Sequence, residues 1–130
     1  MTHQFLSAIS VVVPDYDEAL EFYVGQLGFD LIEDTTLSQT KRWVLVAPPR
    51  STETRLLLAK TDGPRQSEAI GNQTGGRVFL FLQTDDFERD HRKLISNGVS
   101  FLEEPRHESY GTVAVFQDPF GNKWDLIEPS

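Results

Sequence analysis

Residues 5–36 read FLSAISVVVPDYDEALEFYVGQLGFDLIEDTT, and their punctuation decides the fold. Phe5 to Val13 are apolar and largely β-branched, which predicts a strand. Pro14 cannot donate to a strand ladder, and Asp15 is suited to cap a helix that starts behind it. Tyr16, Ala19, Leu20, Tyr23 and Leu27 then recur at helical steps and give one apolar stripe. Gly25 and Gly28 are candidate stop signals, with Gly28 just ahead of a second strand over Phe29 to Thr36. Two further strands are expected over Arg42 to Ala47 and Thr54 to Lys60, with Pro48 and Pro49 in the loop between them. The first half therefore reads β-α-β-β-β.

Outward from that stretch the pattern returns. Arg77 to Thr84 predicts a strand, and Asp85-Asp86 takes the place of Pro14-Asp15. Phe87, His91, Leu94 and Ile95 form a helical stripe that Gly98 ends, before a strand over Val99 to Glu104. Gly28 and Gly98 stand 70 positions apart, whereas Asp15 and Asp86 stand 71 apart, leaving one residue of slack inside the helix. Thr112 to Gln117 and Lys123 to Glu128 complete the second copy, joined by the turn Asp118-Pro119-Phe120-Gly121-Asn122. A period this long is no solenoid repeat. The expectation is an α+β chain of two tandem βαβββ modules with curved mixed sheets, the first over 1–61 and the second over 76–130. The segment 62–75, rich in Gly, Gln, Ser and Thr, reads as a solvated linker or as a flap over a site.

Composition narrows the function classes. The 130 residues contain no cysteine, which excludes disulfides, thiolate metal sites and a thiol nucleophile. A net charge of −8 without a basic stripe speaks against nucleic acid as partner. No apolar run approaches the ~20 residues of a membrane-spanning helix, and the first ten residues carry no secretory pattern, so a soluble, cytoplasmic protein is expected. A phosphate-binding GxxxxGK[ST] loop, a GxSxG elbow and an HExxH helix are all absent from the sequence. The acidic clusters Asp15-Asp17-Glu18 and Asp85-Asp86-Glu88 fall at helix N-termini, where negative charge is favourable, and read as caps.

The stretches VPDYDEALEFYVGQLGF (13–29), QTDDFERDHRKLISNGVSF (83–101) and TVAVFQDPFGNKWDLIEP (112–129) together resemble the vicinal oxygen chelate superfamily. That superfamily includes glyoxalase I, bleomycin-resistance proteins, fosfomycin-resistance enzymes and extradiol dioxygenases. The resemblance implies two paired βαβββ modules. In metal-dependent members it implies four ligands, one from the first and one from the last strand of each module. The corresponding positions here are Ala8, Leu57, Phe79 and Asp125, and three of these four side chains carry no donor atom. Their sequence neighbours do no better, so no metal site is expected and no cofactor is assigned.

Strand alternation sorts a pocket from the core. If the implied ligand positions face a cavity, it is lined by Ala8, Ser10 and Val12, by Arg55, Leu57 and Ala59, by Arg77, Phe79, Phe81 and Gln83, and by Lys123, Asp125 and Ile127. The residues between them are uniformly apolar, as a helix-covered face should be, while the inward sets mix apolar, aromatic and polar groups, as ligand cavities do. Phe79 and Phe81 are core, interface or ligand-stacking aromatics. Trp43 either stacks a planar ligand or fills the core. Asp125 is either a pocket acid or salt-bridged to Arg55 or Arg77, since a buried carboxylate must be paired or protonated. His107 and Tyr110, in EPRHESYG, precede the last hairpin. The imidazole of His107 is suited to general acid–base work or is simply an exposed loop residue. The leading expectation is a metal-free cleft for an apolar or aromatic compound, with Ser10, Trp43, Arg55, Leu57, Phe79, Phe81, Tyr110 and Asp125 as its lining. The alternatives are a glyoxalase-, lyase- or dioxygenase-type enzyme with an unusual donor set, in which His107 and Asp125 are the catalytic candidates, and a module that binds a protein partner. A homodimer is expected, because open curved sheets leave edges that another chain can cover.

Overall fold

The structure is a computed structural model and describes residues 3–130. It divides into two compact units, Met1–Glu68 and Ala69–Ser130, a boundary that falls inside the stretch expected as a linker. In the first unit the order is β1 (Ala8–Val13), α1 (Tyr16–Leu20) running on as a π-helical turn (Glu21–Gln26), β2 (Asp30–Thr36), β3 (Arg42–Ala47) and β4 (Arg55–Lys60). Its four-stranded sheet has the spatial order β1-β4-β3-β2, with β1 and β4 parallel and the other neighbours antiparallel. The helix begins where the sequence calls for it: the Asp15 carboxylate accepts a hydrogen bond from the Glu18 N–H at 2.9 Å. Ala19, Phe22, Tyr23 and Leu27 bury their side chains, together with Val11, Val13, Val44, Val46, Leu56 and Leu58 of the sheet.

The second unit repeats the layout with β5 (Leu80–Gln83), α3 (Phe87–Ser96), β6 (Ser100–Phe101), β7 (Arg106–Glu108), β8 (Gly111–Gln117) and β9 (Lys123–Pro129). β5 and β9 are parallel, β8 is antiparallel to β9, and β6 and β7 pair with β8 one after the other. Asp86 caps α3 through the Arg89 N–H at 3.1 Å. Gly28 and Gly98, with φ of 84° and 87°, leave their helices in the left-handed conformation that glycine adopts without strain. The residue of slack between the two copies has a structural form. The segment from Asp15 to Gly28 is one residue longer than that from Asp86 to Gly98, and it closes on the i→i−5 hydrogen bond from Leu27 N–H to the Phe22 carbonyl, 2.8 Å.

Several expectations need correction. β1 begins at Ala8 rather than Phe5, and β5 spans four residues rather than the eight from Arg77 to Thr84. The segment read as a solvated linker or a flap carries a short exposed helix, α2 (Pro64–Ala69), started by Pro64, with the Asp62 N–H donating to the Gln66 side chain at 2.9 Å. Ile95 does not join the buried stripe of α3; it is 51% exposed. The strand expected over Val99 to Glu104 stops at Phe101, and the segment read as the loop EPRHESYG contains β7 instead. Pro105 lacks the N–H that a continuous ladder needs, and across the gap the Glu103 carboxylate accepts the Val115 N–H at 3.0 Å.

Candidate functional site

Cross-strand register assigns each side chain to the helix-covered face of its sheet or to the opposite, open face. In the first unit Ser10 pairs with Leu57, Leu57 with Leu45 and Leu45 with Glu33, so these four form one row across the open face. Ile9, Val11, Leu56 and Leu58 alternate with them on the helix side, and three of those four are buried. Arg55 pairs with Ala8 and is half-buried. Trp43 shares the face of Leu45 and is 40% exposed, which removes it from the core. Arg42, with Thr36 opposite it and Asp34 on the same face of β2, brings polar groups to the helix side. It bonds Asp17 and Asp34 at 2.9 and 2.6 Å, and its guanidinium lies 5.1 Å from the centre of the Tyr16 ring. These contacts tie the helix start to β3 and hold the Asp34 carboxyl below the usual carboxylate range.

In the second unit the open face holds Phe81 and Gln83 on β5 and Lys123, Asp125 and Ile127 on β9, with Phe79 just ahead of β5, its N–H donating to the Lys123 carbonyl at 2.8 Å. Asp125 is flanked by Phe81 on β5 and Val115 on β8. Phe79 is half-buried, whereas Phe81 is 65% exposed, which excludes it from the core. Asp125 is half-buried, and its Oδ1 is enclosed without a hydrogen-bond partner. Arg77, one of the two partners the sequence offers for it, does not ion-pair with it. Burial drives the Asp125 pKa up; the nearby Arg106 pulls it down and Glu103 pushes it up again, leaving a net rise. Arg106 is itself engaged, with Nε 3.0 Å from Glu103 and Nη1 3.1 Å from Glu108. Tyr110, half exposed at the start of the last hairpin, also interacts with this guanidinium.

His107 does not join this group. It pairs with Thr112, which pairs with Glu128, and that row lies on the helix-covered face, opposite Asp125. There it lines a cleft of about 460 Å³ with Asp86, Phe87, Glu88, His91, Pro105, Thr112 and Glu128. Its Nδ1 is 3.3 Å from the Thr112 hydroxyl. The two catalytic candidates of the second unit therefore sit on opposite sides of one sheet and cannot act on the same atom there. Arg106 and Glu103 were missing from the sequence-based set. The signal available was a lone Arg among Glu103, Glu104 and Glu108, directly after a proline that breaks a strand.

The donor chemistry does not fit a family-type metal centre. Ala8, Leu57 and Phe79 offer no ligand atom. Among the described residues no group of three or more His, Asp or Glu side chains is placed to hold an ion. Among the same residues no helix is long and apolar enough to cross a membrane.

Comparison with known proteins agrees with the topology. Residues 5–126 match the profile of the Glyoxalase/Bleomycin resistance protein/Dioxygenase superfamily. An "Uncharacterized protein" of Shewanella frigidimarina (strain NCIMB 400) is 55% identical over 126 residues, covering 96% of this chain and 93% of the relative. Among solved structures, UcmS2 superimposes with a TM-score of 0.84 at 29% identity, covering 97% of this chain and 98% of its own. TnmS3, described as an antibiotic binding protein from Streptomyces sp. CB03234, gives a TM-score of 0.79 at 34% identity, covering 100% of this chain and 99% of its own.

Proposed function

The chain belongs to the Glyoxalase/Bleomycin resistance protein/Dioxygenase superfamily, and on that premise we propose that it is a metal-free member that captures a small apolar or aromatic compound on the open faces of its sheets. The observation that carries this reading is the pairing on the second sheet of an exposed aromatic ring, Phe81, with a half-buried carboxylate, Asp125, whose Oδ1 has no partner. Ligand sites are mostly apolar with a few polar groups that fix orientation, and this face has that make-up. Ser10, Leu57, Trp43 and Arg55 on the first sheet, and Phe79, Phe81, Tyr110 and Asp125 on the second, are the residues assigned to ligand contact. TnmS3, described as an antibiotic binding protein, supports a small-molecule ligand.

The protein is further proposed to work as a homodimer in the cytoplasm. β1 and β2 form the two edges of the first sheet, and an uncovered edge invites a second copy. A chain without cysteine needs no oxidising compartment.

Elemental analysis of the purified protein, combined with a thermal-shift screen of planar aromatic metabolites, tests this reading. The expected outcome is sub-stoichiometric metal together with stabilisation by aromatic compounds that survives chelator treatment. Stoichiometric nickel, zinc, iron or manganese, whose removal abolishes ligand capture, would overturn it. Light scattering across a dilution series tests the dimer, which a constant mass of 14.7 kDa would exclude.

A further inference from the structure

The cleft on the helix-covered face of the second sheet lies apart from the open faces. Along most of that helix-covered face the cross-strand pairs are apolar and buried: Phe116 with Trp124, then Ala114 with Leu126. At the next position the pattern turns polar. His107, Thr112 and Glu128 stand there in one row on β7, β8 and β9, their Cβ atoms about 5 Å apart from strand to strand. Thr112 is a short side chain between two long ones, which notches the row at its centre. Phe87, with the His91 ring stacked on it at 5.3 Å, and Pro105 supply apolar lining around the notch. The cleft so formed, about 460 Å³, has room for a small organic molecule.

Its charge selects the kind of molecule. Two of the carboxylates beside it are committed to the chain itself: Asp86 caps α3 through the Arg89 N–H at 3.1 Å, and Glu88 pairs with Arg92 at 3.0 Å. Glu128 accepts the Phe87 N–H on Oε1 alone, at 2.7 Å, which leaves Oε2 for another donor. His107 engages one ring nitrogen with the Thr112 hydroxyl at 3.3 Å and leaves the other. No lysine or arginine is among the described residues that line the cleft, so an anion would meet repulsion and a cation attraction. The positive end of α3, which opposes a cation, is already offset by the Asp86 and Glu128 carboxylates. A primary ammonium carries three N–H donors and no acceptor. The row answers with three acceptors of different kind: a carboxylate oxygen, a hydroxyl oxygen and an imidazole nitrogen.

We propose that this cleft is a second binding site, for a primary ammonium on a compact apolar stem, its three N–H groups donating to Glu128, Thr112 and His107 and its stem lying against Phe87 and Pro105. The site is on the opposite side of the sheet from Phe81 and Asp125 and stands independently of what the open faces bind. Contact of the stem with apolar walls depends little on ligand charge, whereas a charge-assisted hydrogen bond to Glu128 distinguishes the ammonium from a neutral molecule of the same shape.

The test compares benzylamine, a cation at neutral pH, with benzyl alcohol, its neutral counterpart of nearly the same shape. Each is titrated into the full chain and its Glu128→Gln, Thr112→Val and Phe81→Ala variants, followed by amide shifts in proton–nitrogen correlation spectra, with circular dichroism to verify folding. The full chain is expected to bind the amine at least about tenfold more tightly than the alcohol, the discrimination a charge-assisted hydrogen bond supplies. The largest shifts should fall on residues 86–91, 105–112 and 128. Glu128→Gln keeps an acceptor for the Phe87 N–H but removes the charge, and should erase the preference for the amine while leaving the alcohol's affinity as it was. Thr112→Val removes one acceptor at constant shape and should weaken the amine severalfold. Phe81→Ala should change neither probe at this site. Amine and alcohol bound alike, a preference that persists in Glu128→Gln, or an absence of shifts in the cleft overturns the ammonium site. Shifts confined to the open face and lost in Phe81→Ala would overturn it too, while leaving the reading of the open faces intact.

Discussion

The two units carry the same layout and use their second strand position differently. In the first, β2 is a single seven-residue strand that absorbs an irregularity between Leu31 and Glu33 without losing its pairing to β3. In the second, the corresponding strand is cut by Pro105 into β6 and β7, and the Glu103 side chain takes over a hydrogen bond to the Val115 N–H. The cut brings Glu103 and Arg106 together at 3.0 Å beside Asp125. In the matching row of the first sheet, Ser10, Leu57, Leu45 and Glu33, the carboxylate lies at the β2 end and accepts from the Thr35 hydroxyl at 2.9 Å rather than from a guanidinium. Duplication supplies two copies of a scaffold, and the copy whose ladder is interrupted acquires polar chemistry on its open face. Loss of regular pairing is where a repeated fold has room for a site.

The sharpest contrast in stability lies in the connections before the last strands. In the second unit Asp118 is buried and accepts from Phe120 N–H at 3.0 Å, Asn122 N–H at 2.8 Å and Asn122 Nδ2 at 2.7 Å. In the first unit the connection is held at its tip by the Ser51 hydroxyl, which accepts the Glu53 N–H at 3.2 Å in the open. Asp118→Ala strips three donors of their partner and should cost about 3 kcal/mol in chemical denaturation. Ser51→Ala should change stability by less than about 0.5 kcal/mol. Equal losses would mean that the two connections bear the same structural weight.

A second contrast is one of sign. Asp34, paired with Arg42, has a folded pKa below its ordinary value of 3.8, so its contribution to stability is present above that value and is lost as pH falls through the folded pKa. Asp125 has its pKa raised from the same value by burial, so the ionised form weakens the fold at neutral pH and the penalty fades as pH drops toward 3.8. Asp125→Asn should therefore stabilise the protein on the order of 1 kcal/mol at neutral pH and lose that advantage on acidification. Asp34→Asn should destabilise at neutral pH and converge with the native chain in acid. Thermal melts from neutral to acid pH read both, and destabilisation by Asp125→Asn at neutral pH would break the contrast.

How much of this was legible beforehand depends on the range of the interaction. Asp15, Asp86, Gly28 and Gly98 act on backbone within a few residues, and all four occupy the capping and exit positions that local rules assign them. Alternation along β4 and β9 was equally readable, because Leu56, Leu58, Trp124 and Leu126 follow a period of two that a helix-covered face imposes. Long-range pairing was not. Nothing local says that Arg106 forms a strand with Val113, or that His107 is thereby turned away from Asp125. Trp43 is either core or ligand contact by local rules, and only the register against Thr35 at the exposed end of β2 places it on the open face.

The helix starts differ by one bond. Both Asp15 and Asp86 accept from the third residue of their helices, but α3 has an additional anchor in Glu128, which accepts the Phe87 N–H at 2.7 Å. Asp15→Ala should cost about 1 kcal/mol, the usual value of an N-cap. Asp86→Ala should cost less, because Glu128 continues to neutralise the helix end. The double change of Asp86 and Glu128 to alanine should exceed the sum of the singles, measured by urea denaturation. Additive effects would show that the two carboxylates cap independently.

The smallest expected effect concerns the residue of slack. From Asp15 to Gly28 the chain takes thirteen steps, and from Asp86 to Gly98 it takes twelve, as their numbers show. The surplus is stored as the π-helical turn Glu21–Gln26, in which exposed Gly25 has open space around its Cα and no positive φ. A π-turn formed by one inserted residue should relax to ordinary α-helix when that residue is removed. Deleting Gly25 gives the first helix the length of α3 while keeping the apolar stripe of Tyr16, Ala19 and Tyr23 upstream of the deletion. Two effects oppose each other: regular i→i−4 bonds and loss of a poor helix former favour the deletion, while Leu27 must re-seat against its buried neighbours. The net change should stay within about 1 kcal/mol, read by thermal melting, with cooperative unfolding retained. Loss of cooperative unfolding would show that Leu27 and Phe29 reach their buried positions only through the wider turn. The two helices would then be alike in their caps and exits, and unlike in how they seat the strand that follows.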